Sequence, residues 1–264
     1  MKKKVKIGID INEILRARWL QFDRYYVEEF GEEGTPPAEE AYVYDFFKKY
    51  RWSGKTEETK YLNEDLPDDI NPIDYQVDEK TGEAPVDYLA FKSKKNELTA
   101  KEVYNRFMYE DYLFEIHGSA PIMYKNMEVE VEKFIKKYEE YADFIVVSQE
   151  NWFSIPPTLF FLSKIMARFK EYRFVEDKQE MWDGVDILIT TDPEIINLGT
   201  PEGGEIIKLH RPYNKDCQDG SITKELFQLN DLNKNIEFEK IIGYPQDKDE
   251  DAPEDVEQKQ KENE

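Results

Sequence analysis

Four places in the chain put a polar side chain at or soon after the end of a strand-like run. Asp10 and Asn12 follow KVKIGI in the segment Lys4–Ile11, and Ser148 closes Asp143–Ser148 (DFIVVS). Lys178 follows Tyr172–Val175, and Thr190, Thr191 and Asp192 follow Asp186–Ile189 (DILI). If these runs are parallel strands, the polar positions share one edge, because such sheets bind ligands at the carboxyl ends of their strands. A carboxylate, a hydroxyl, an ammonium and a second carboxylate gathered there make a site for a phosphate ester and Mg²⁺. The carboxylates hold the cation, which bridges phosphate oxygens. The hydroxyl donates to a phosphoryl oxygen, and the ammonium neutralises developing charge.

The elements that must position these groups follow from periodicity. Lys4–Ile11 is a short β-branched run ending in an acidic turn. Behind it, Ile14, Trp19, Phe22, Tyr26 and Phe30 fall roughly on one face of a helix over Glu13–Phe30, which Gly31 and Gly34-Thr35-Pro36-Pro37 stop. Val131, Phe134, Ile135 and Tyr138 mark a helix over Val129–Tyr141, and DFIVVS is continuous enough to be a strand covered on both faces. A helix over Thr158–Phe169 follows Pro157. Strands are expected at Tyr172–Val175, Asp186–Ile189 and Glu205–Leu209, with a closing helix at Thr223–Leu232. Strands alternating with helices predict an α/β fold: a Rossmann-like parallel sheet, doubly wound through right-handed crossovers.

Between Ala38 and about Ser119 the alternation breaks down. Aromatic residues cluster at Tyr42, Tyr44, Phe46, Phe47, Tyr50 and Trp52. One helix is marked by the capping-box pattern Thr99-Ala100-Lys101-Glu102, followed by Val103, Phe107, Tyr112 and Phe114. This stretch reads as an inserted, mainly helical cap, its aromatics forming that unit's own core. The division is residues 1–30 and 120–246 for the α/β core, 31–119 for the insertion, and 247–264 for a disordered acidic tail, with nine acidic and three basic residues.

With 36 basic and 58 acidic residues, the formal net charge is −22. That field repels a nucleic-acid polymer, but it admits a single phosphate ester in a pocket with its own Lys. Cys217 is the only cysteine, which excludes an internal disulfide and a Cys-based metal site. His117 and His210 are the only histidines, so a His pair has little support. No run reaches transmembrane length, and the basic start is not followed by an apolar signal core. The expectation is a cytoplasmic protein with no membrane partner or, were it viral, one of the host cytoplasm or virion. Room is left for a protein partner.

The ordered set resembles the haloacid-dehalogenase-like (HAD) phosphatase superfamily, and within it the 5'(3')-deoxyribonucleotidase branch. The family's first motif, hhhhDxDGhh, is matched by Ile7-Gly8-Ile9-Asp10-Ile11-Asn12-Glu13-Ile14-Leu15. Its second, an apolar strand ending in Ser or Thr, is matched by Phe144–Ser148. The branch's RDKxxVKGDxLIDD stretch resembles Glu176-Asp177-Lys178 through Gly184-Val185-Asp186-Ile187-Leu188-Ile189, and its late Pro-Tyr-Asn resembles Pro212-Tyr213-Asn214. The resemblance spans about Lys4 to Asn214, with a cap-like insertion after the first motif as in the family. It implies a HAD-like core and a phosphatase acting on a nucleotide monophosphate or similar small ester. Asp10 would be the nucleophile that forms an aspartyl-phosphate. Asp10, the backbone carbonyl of Asn12 and Asp192 would hold Mg²⁺. Ser148 and Lys178 would orient the phosphoryl group.

Three departures cut against turnover. The family's second Asp, its general acid and base, is Asn12, and an amide can neither protonate a leaving alkoxide nor deprotonate water. Such help is worth about 10²–10⁴-fold. The acidic pair after the fourth strand is Thr190-Thr191, leaving Asp192 nearby. The Gly after the second Asp is Glu13, a bulkier side chain expected at the mouth of the site. The alternative is therefore a catalytically inactive HAD-fold binding or structural protein. Each residue also has a plainer reading: Asp10 as a turn residue, Ser148 as a helix cap, Lys178 as a solvated charge, Asp192 as the cap of the Pro193–Ile196 turn. Gain of activity in Asn12→Asp is the expected mark of a preserved site lacking only its proton shuttle.

Overall fold

A computed structural model of the protein describes residues 3–31, 50, 52, 100–165, 167–217, 226–233 and 235–246. Its centre is a parallel sheet of five strands: β1 (Val5–Ile9), β2 (Ala142–Gln149), β3 (Glu171–Val175), β4 (Ile187–Thr190) and β5 (Glu205–Lys208). Their order is β3-β2-β1-β4-β5, so β1 lies in the middle. It pairs with β2 through Ile7↔Phe144 and with β4 through Ile7↔Ile187. The fold is the expected α/β, Rossmann-like class.

Side-chain alternation explains why both faces are covered. Ile7, Ile9, Phe144, Val146, Ile187, Ile189 and Ile207 point to one face. Ile145, Val147, Leu188 and Ile206 point to the other. The first face packs on α4 (Met127–Tyr138) through Val131, Phe134 and Tyr138, on α5 (Ile155–Ser163) through Phe161, and on α7 (Ile236–Ile242) through Phe238. The second packs on Met181, Val185 and Ile195, the last carried by α6 (Pro193–Leu198). Gly8 is the tight point of β1. A Cβ there would lie 3.1 Å from both Leu188 Cδ1 and Val185 Cγ1, so a larger residue would push the second layer away.

Several boundaries shift from the sequence reading. The expected helix over Glu13–Phe30 begins only at Arg18 (α1, Arg18–Phe30), because residues 12–16 fold into a tight loop first. Glu13 sits there at φ 59°, and its N–H donates to the Arg16 carbonyl at 2.8 Å. The helix expected over Thr158–Phe169 is α5, which starts at Ile155 with prolines in its first turn, where their missing N–H groups cost nothing. At Thr223–Leu232 the described part is a short 3₁₀ turn at Leu229–Leu232. The closing helix is α7, capped by the Asn235 side chain accepting from Phe238 N–H at 2.9 Å.

A second cluster lies away from the sheet. Trp19, Phe22, Tyr26 and Phe30 of α1 pack on Tyr50, Trp52, Val103, Tyr104, Phe107 and Ile116. Val103 and Tyr104 belong to α2 (Ala100–Arg106), which runs into one π-helical turn, Phe107–Asp111. Ile116 belongs to α3 (Leu113–His117). Tyr42, Tyr44, Phe46 and Phe47, most of the expected insertion and the acidic tail lie outside the described residues.

Candidate functional site

The chain runs β1, β2, β3 to one side of the sheet and places β4 and β5 on the other. The carboxyl end of β1 is therefore the switch point where open α/β sheets hold ligands. A cavity of about 580 Å³ opens there, within the size range of small-ligand sites. Asp10, Asn12, Lys178 and Asp192 all line it. Ser148 lies beneath, fully buried, its Oγ 3.4 Å from Asp10 Oδ1 and 3.4 Å from Asn12 Nδ2. The residues singled out in the sequence thus come together.

Each is tightly held. Asp10 Oδ1 accepts the Asn12 backbone N–H at 3.3 Å, and Asp10 Oδ2 accepts the Thr190 hydroxyl at 3.1 Å. Burial, then the nearby Asp192 carboxylate, push the Asp10 pKa up to about 7. Lys178 Nζ is 2.6 Å from Asp192 Oδ2 and 2.7 Å from Glu194 Oε2. Burial works against its charge, but the two carboxylates outweigh it and raise its pKa. Asp192 also caps α6, accepting from Glu194 N–H at 2.8 Å. Its capping role and its place at the cavity are compatible. Asn214, from the Pro-Tyr-Asn stretch, ties the site's floor together by donating to the Thr191 and Leu209 carbonyls, each at 2.9 Å.

The donor set expected for Mg²⁺ fits poorly. Thr191 Oγ1 donates to the Asn12 carbonyl at 3.2 Å. With Thr190 on Asp10 Oδ2, hydroxyl donors face the Asn12 carbonyl and one of the two Asp10 carboxylate oxygens, groups that the resemblance assigns to the cation. Asp192, the third expected ligand, is paired with Lys178. Among the described residues, no group of three or more His, Cys, Asp or Glu side chains is arranged to hold a metal ion. Glu13 also differs from expectation. It does not stand at the cavity mouth; its Oε1 accepts Trp19 N–H at 2.9 Å, serving the first turn of α1. A non-glycine residue at positive φ is disfavoured by about 1–2 kcal/mol, and that bond offsets part of the cost.

Sequence reasoning missed the residue beneath the site. Arg16 is fully buried. Its Nε and Nη2 both donate to Asn12 Oδ1, at 3.1 and 2.6 Å. Nη2 also meets Glu150 Oε1 at 2.5 Å, and Nη1 donates to the His117 carbonyl and Thr158 Oγ1 at 2.8 and 2.7 Å. Glu150 holds Ser154 Oγ at 2.6 Å, and the Arg16 charge keeps its carboxyl well below the usual range against the cost of burial. The signal was a basic residue four places after Asn12, directly behind Ile14-Leu15, and an acid two places after Ser148. The far wall of the cavity comes from Lys101, Tyr104, Met108 and Tyr109, with Gln149, Asn151 and Trp152 at the end of β2.

No family model matches the chain, and no curated protein matches it significantly. Among the described residues, no helix is long and apolar enough to cross a membrane.

Proposed function

We propose that the protein is a HAD-like, 5'-nucleotidase-like phosphoryl site that binds a small phosphate ester, a nucleoside monophosphate in size and charge, with severely impaired turnover. The observation that carries this reading is the convergence of Asp10, Asn12 and Lys178 on one cavity at the end of the central strand, with Ser148 buried against Asp10 and Asn12 beneath it. An aspartyl-phosphate would form as an Asp10 oxygen attacks phosphorus and the ester oxygen leaves. That oxygen needs a proton, and Asn12 has no acidic one to give. Burial and Asp192 raise the Asp10 pKa to about 7, which favours the protonated, non-nucleophilic form. Lys178 and the Asn12 amide, both at the cavity, remain suited to hold an anion. The cavity wall from Lys101 to Tyr109 fits the cap of the reading, and the ligand it suits is a small metabolite of the kind found in the cytoplasm.

Calorimetric titration with deoxynucleoside monophosphates and inorganic phosphate, beside a turnover panel including p-nitrophenyl phosphate with Mg²⁺, tests the reading. Saturable binding with little turnover, lost in Lys178→Met, is expected. Rapid Mg²⁺-dependent hydrolysis abolished by Asp10→Asn would instead establish the active phosphatase. Absence of both binding and turnover would remove the phosphoryl site altogether.

A further inference from the structure

An amide at position 12 can face its neighbours in two ways, and the network leaves one. Arg16 has only N–H groups to offer, and two of them converge on the same Asn12 atom, at 3.1 and 2.6 Å. That atom must be the carbonyl oxygen, since the amino group there would set donor against donor. The amino group is thereby turned to Ser148 Oγ, 3.4 Å away, and Asn12 itself lines the cavity. Arg16 cannot swing aside. Glu150, Thr158 and the His117 carbonyl hold its other donors, and the Arg16 side chain is wholly buried.

We propose that Arg16 is a positioning residue that locks the Asn12 amide with its N–H groups toward the phosphoryl locus, making position 12 a fixed anion donor rather than a vacant proton shuttle. The proposal deepens the phosphate-ester reading and rests on it for the ligand. It accounts for a buried Arg–Glu pair directly below the site, where the desolvation cost of two charges is large and apolar residues could have filled the space. A guanidinium suits the task because its planar fork serves Asn12 and Glu150 at once; an ammonium cannot reproduce that geometry.

The test titrates the full chain with inorganic phosphate at neutral pH in four forms: wild type, Asn12→Ala, Arg16→Lys and the double variant. A lost hydrogen bond to a charged group predicts about a tenfold loss of affinity for Asn12→Ala. Arg16→Lys should lose a comparable factor, and the double variant no more than Asn12→Ala alone, because Arg16 acts through the amide. Arg16→Met combined with Glu150→Met removes the whole pair and takes the place of Arg16→Lys should that variant not fold. Wild-type affinity in the Arg16 variants, or losses that add in full to that of Asn12→Ala, overturns the proposal. Should the wild type take up no phosphate, the phosphoryl reading falls, and nitrogen-15 NMR decides the positioning claim by itself. Side-chain amide protons of Asn12 that exchange slowly in the wild type and fast in Arg16→Lys sustain the lock. Equally fast exchange in both overturns it.

Discussion

Thr190 donates its hydroxyl to Asp10 Oδ2 at 3.1 Å, on the opposite carboxylate oxygen from the one that faces Ser148 and the Asn12 N–H. Where a metal site would offer a second carboxylate to a shared cation, this chain offers a proton donor to the first. Thr190→Asp should therefore reverse the arrangement. Without metal it sets a carboxylate against Asp10 and lowers the thermal midpoint. Millimolar Mg²⁺ should restore stability, by about 1.4 kcal/mol once the ion stands tenfold above its Kd. Wild-type protein should show a much smaller Mg²⁺ response. Thermal melts of both proteins with and without the ion read this directly, and equal responses would refute it.

Asp10 and His117 make opposite demands on pH. Asp10 is raised from 3.8 to about 7 by burial and by Asp192, while the Thr190 hydroxyl and the Arg18 charge pull the other way. The folded state therefore binds more protons than the unfolded chain between those values, and this group's contribution to stability falls as pH rises through that window. Asp10→Asn should stabilise the protein near pH 8 by about 1–4 kcal/mol, each pKa unit being worth about 1.4 kcal/mol, and much less near pH 4. His117 is lowered from 6.5 to about 4, chiefly by burial, with Glu150 raising it and Arg16 and Arg18 lowering it. Its contribution is present above pH 6.5 and is lost as pH falls toward 4. In Asp10→Asn the acid loss due to His117 should stand out, and His117→Gln added to it should flatten the curve between those values. Denaturant melts across pH measure both slopes.

The strands were readable because a buried parallel strand is a short continuous apolar run, and DFIVVS and DILI are such runs. Their polar followers located Asp10, Ser148, Thr190 and Asp192, since the sheet itself brings strand ends together. Arg16 was hidden for the converse reason. Its partners, Asn12, Glu150 and the His117 carbonyl, come from three separate stretches, and nothing in a single charged residue on an apolar face announces a buried ion pair. Glu13 was misplaced because sequence gives a side chain's size but not its direction. At φ 59° the residue turns to the α1 backbone instead of the cavity. The tight loop at 12–16 likewise postponed α1, as a periodic pattern marks a face and not the first hydrogen bond.

Lys178 answers to two carboxylates, and only one of them is buried. Asp192 caps α6 from within, whereas the Glu194 side chain is 58% exposed. An incoming phosphoryl group competes with both for the ammonium. Glu194→Gln removes the weaker, solvent-screened competitor, so phosphate affinity should rise roughly two- to fivefold, the range of an exposed ion pair. Thermal stability should change by less than about 1 kcal/mol for the same reason. Titration calorimetry on the variant and the wild type distinguishes this from a Glu194 that itself supports the site, in which case affinity would fall.

Asn12→Asp is the change that the HAD-like reading would suggest for supplying a proton shuttle, and the Arg16 contacts argue that it fails. A carboxylate at position 12 would accept the same two Arg16 donors that now hold Asn12 Oδ1 at 3.1 and 2.6 Å. Charge-assisted bonds of that kind hold a carboxyl ionised, so the introduced side chain would be a poor acid for a leaving alkoxide. Its second oxygen would replace the amino group near Ser148 and set a negative charge beside Asp10, raising the Asp10 pKa further and withdrawing nucleophile. On the proposed reading, phosphate would meet an anion at position 12 in place of an amide donor. The expected result is no gain in p-nitrophenyl phosphate turnover and at least about a tenfold loss of phosphate affinity at neutral pH, the cost of one lost bond to a charged group before repulsion is counted. Arg16→Lys placed behind Asn12→Asp should relax the hold and move the titration of the new carboxyl upward, measurable by carbon-13 NMR. A single Asn12→Asp variant that turns over substrate would show that Arg16 does not govern the protonation of position 12.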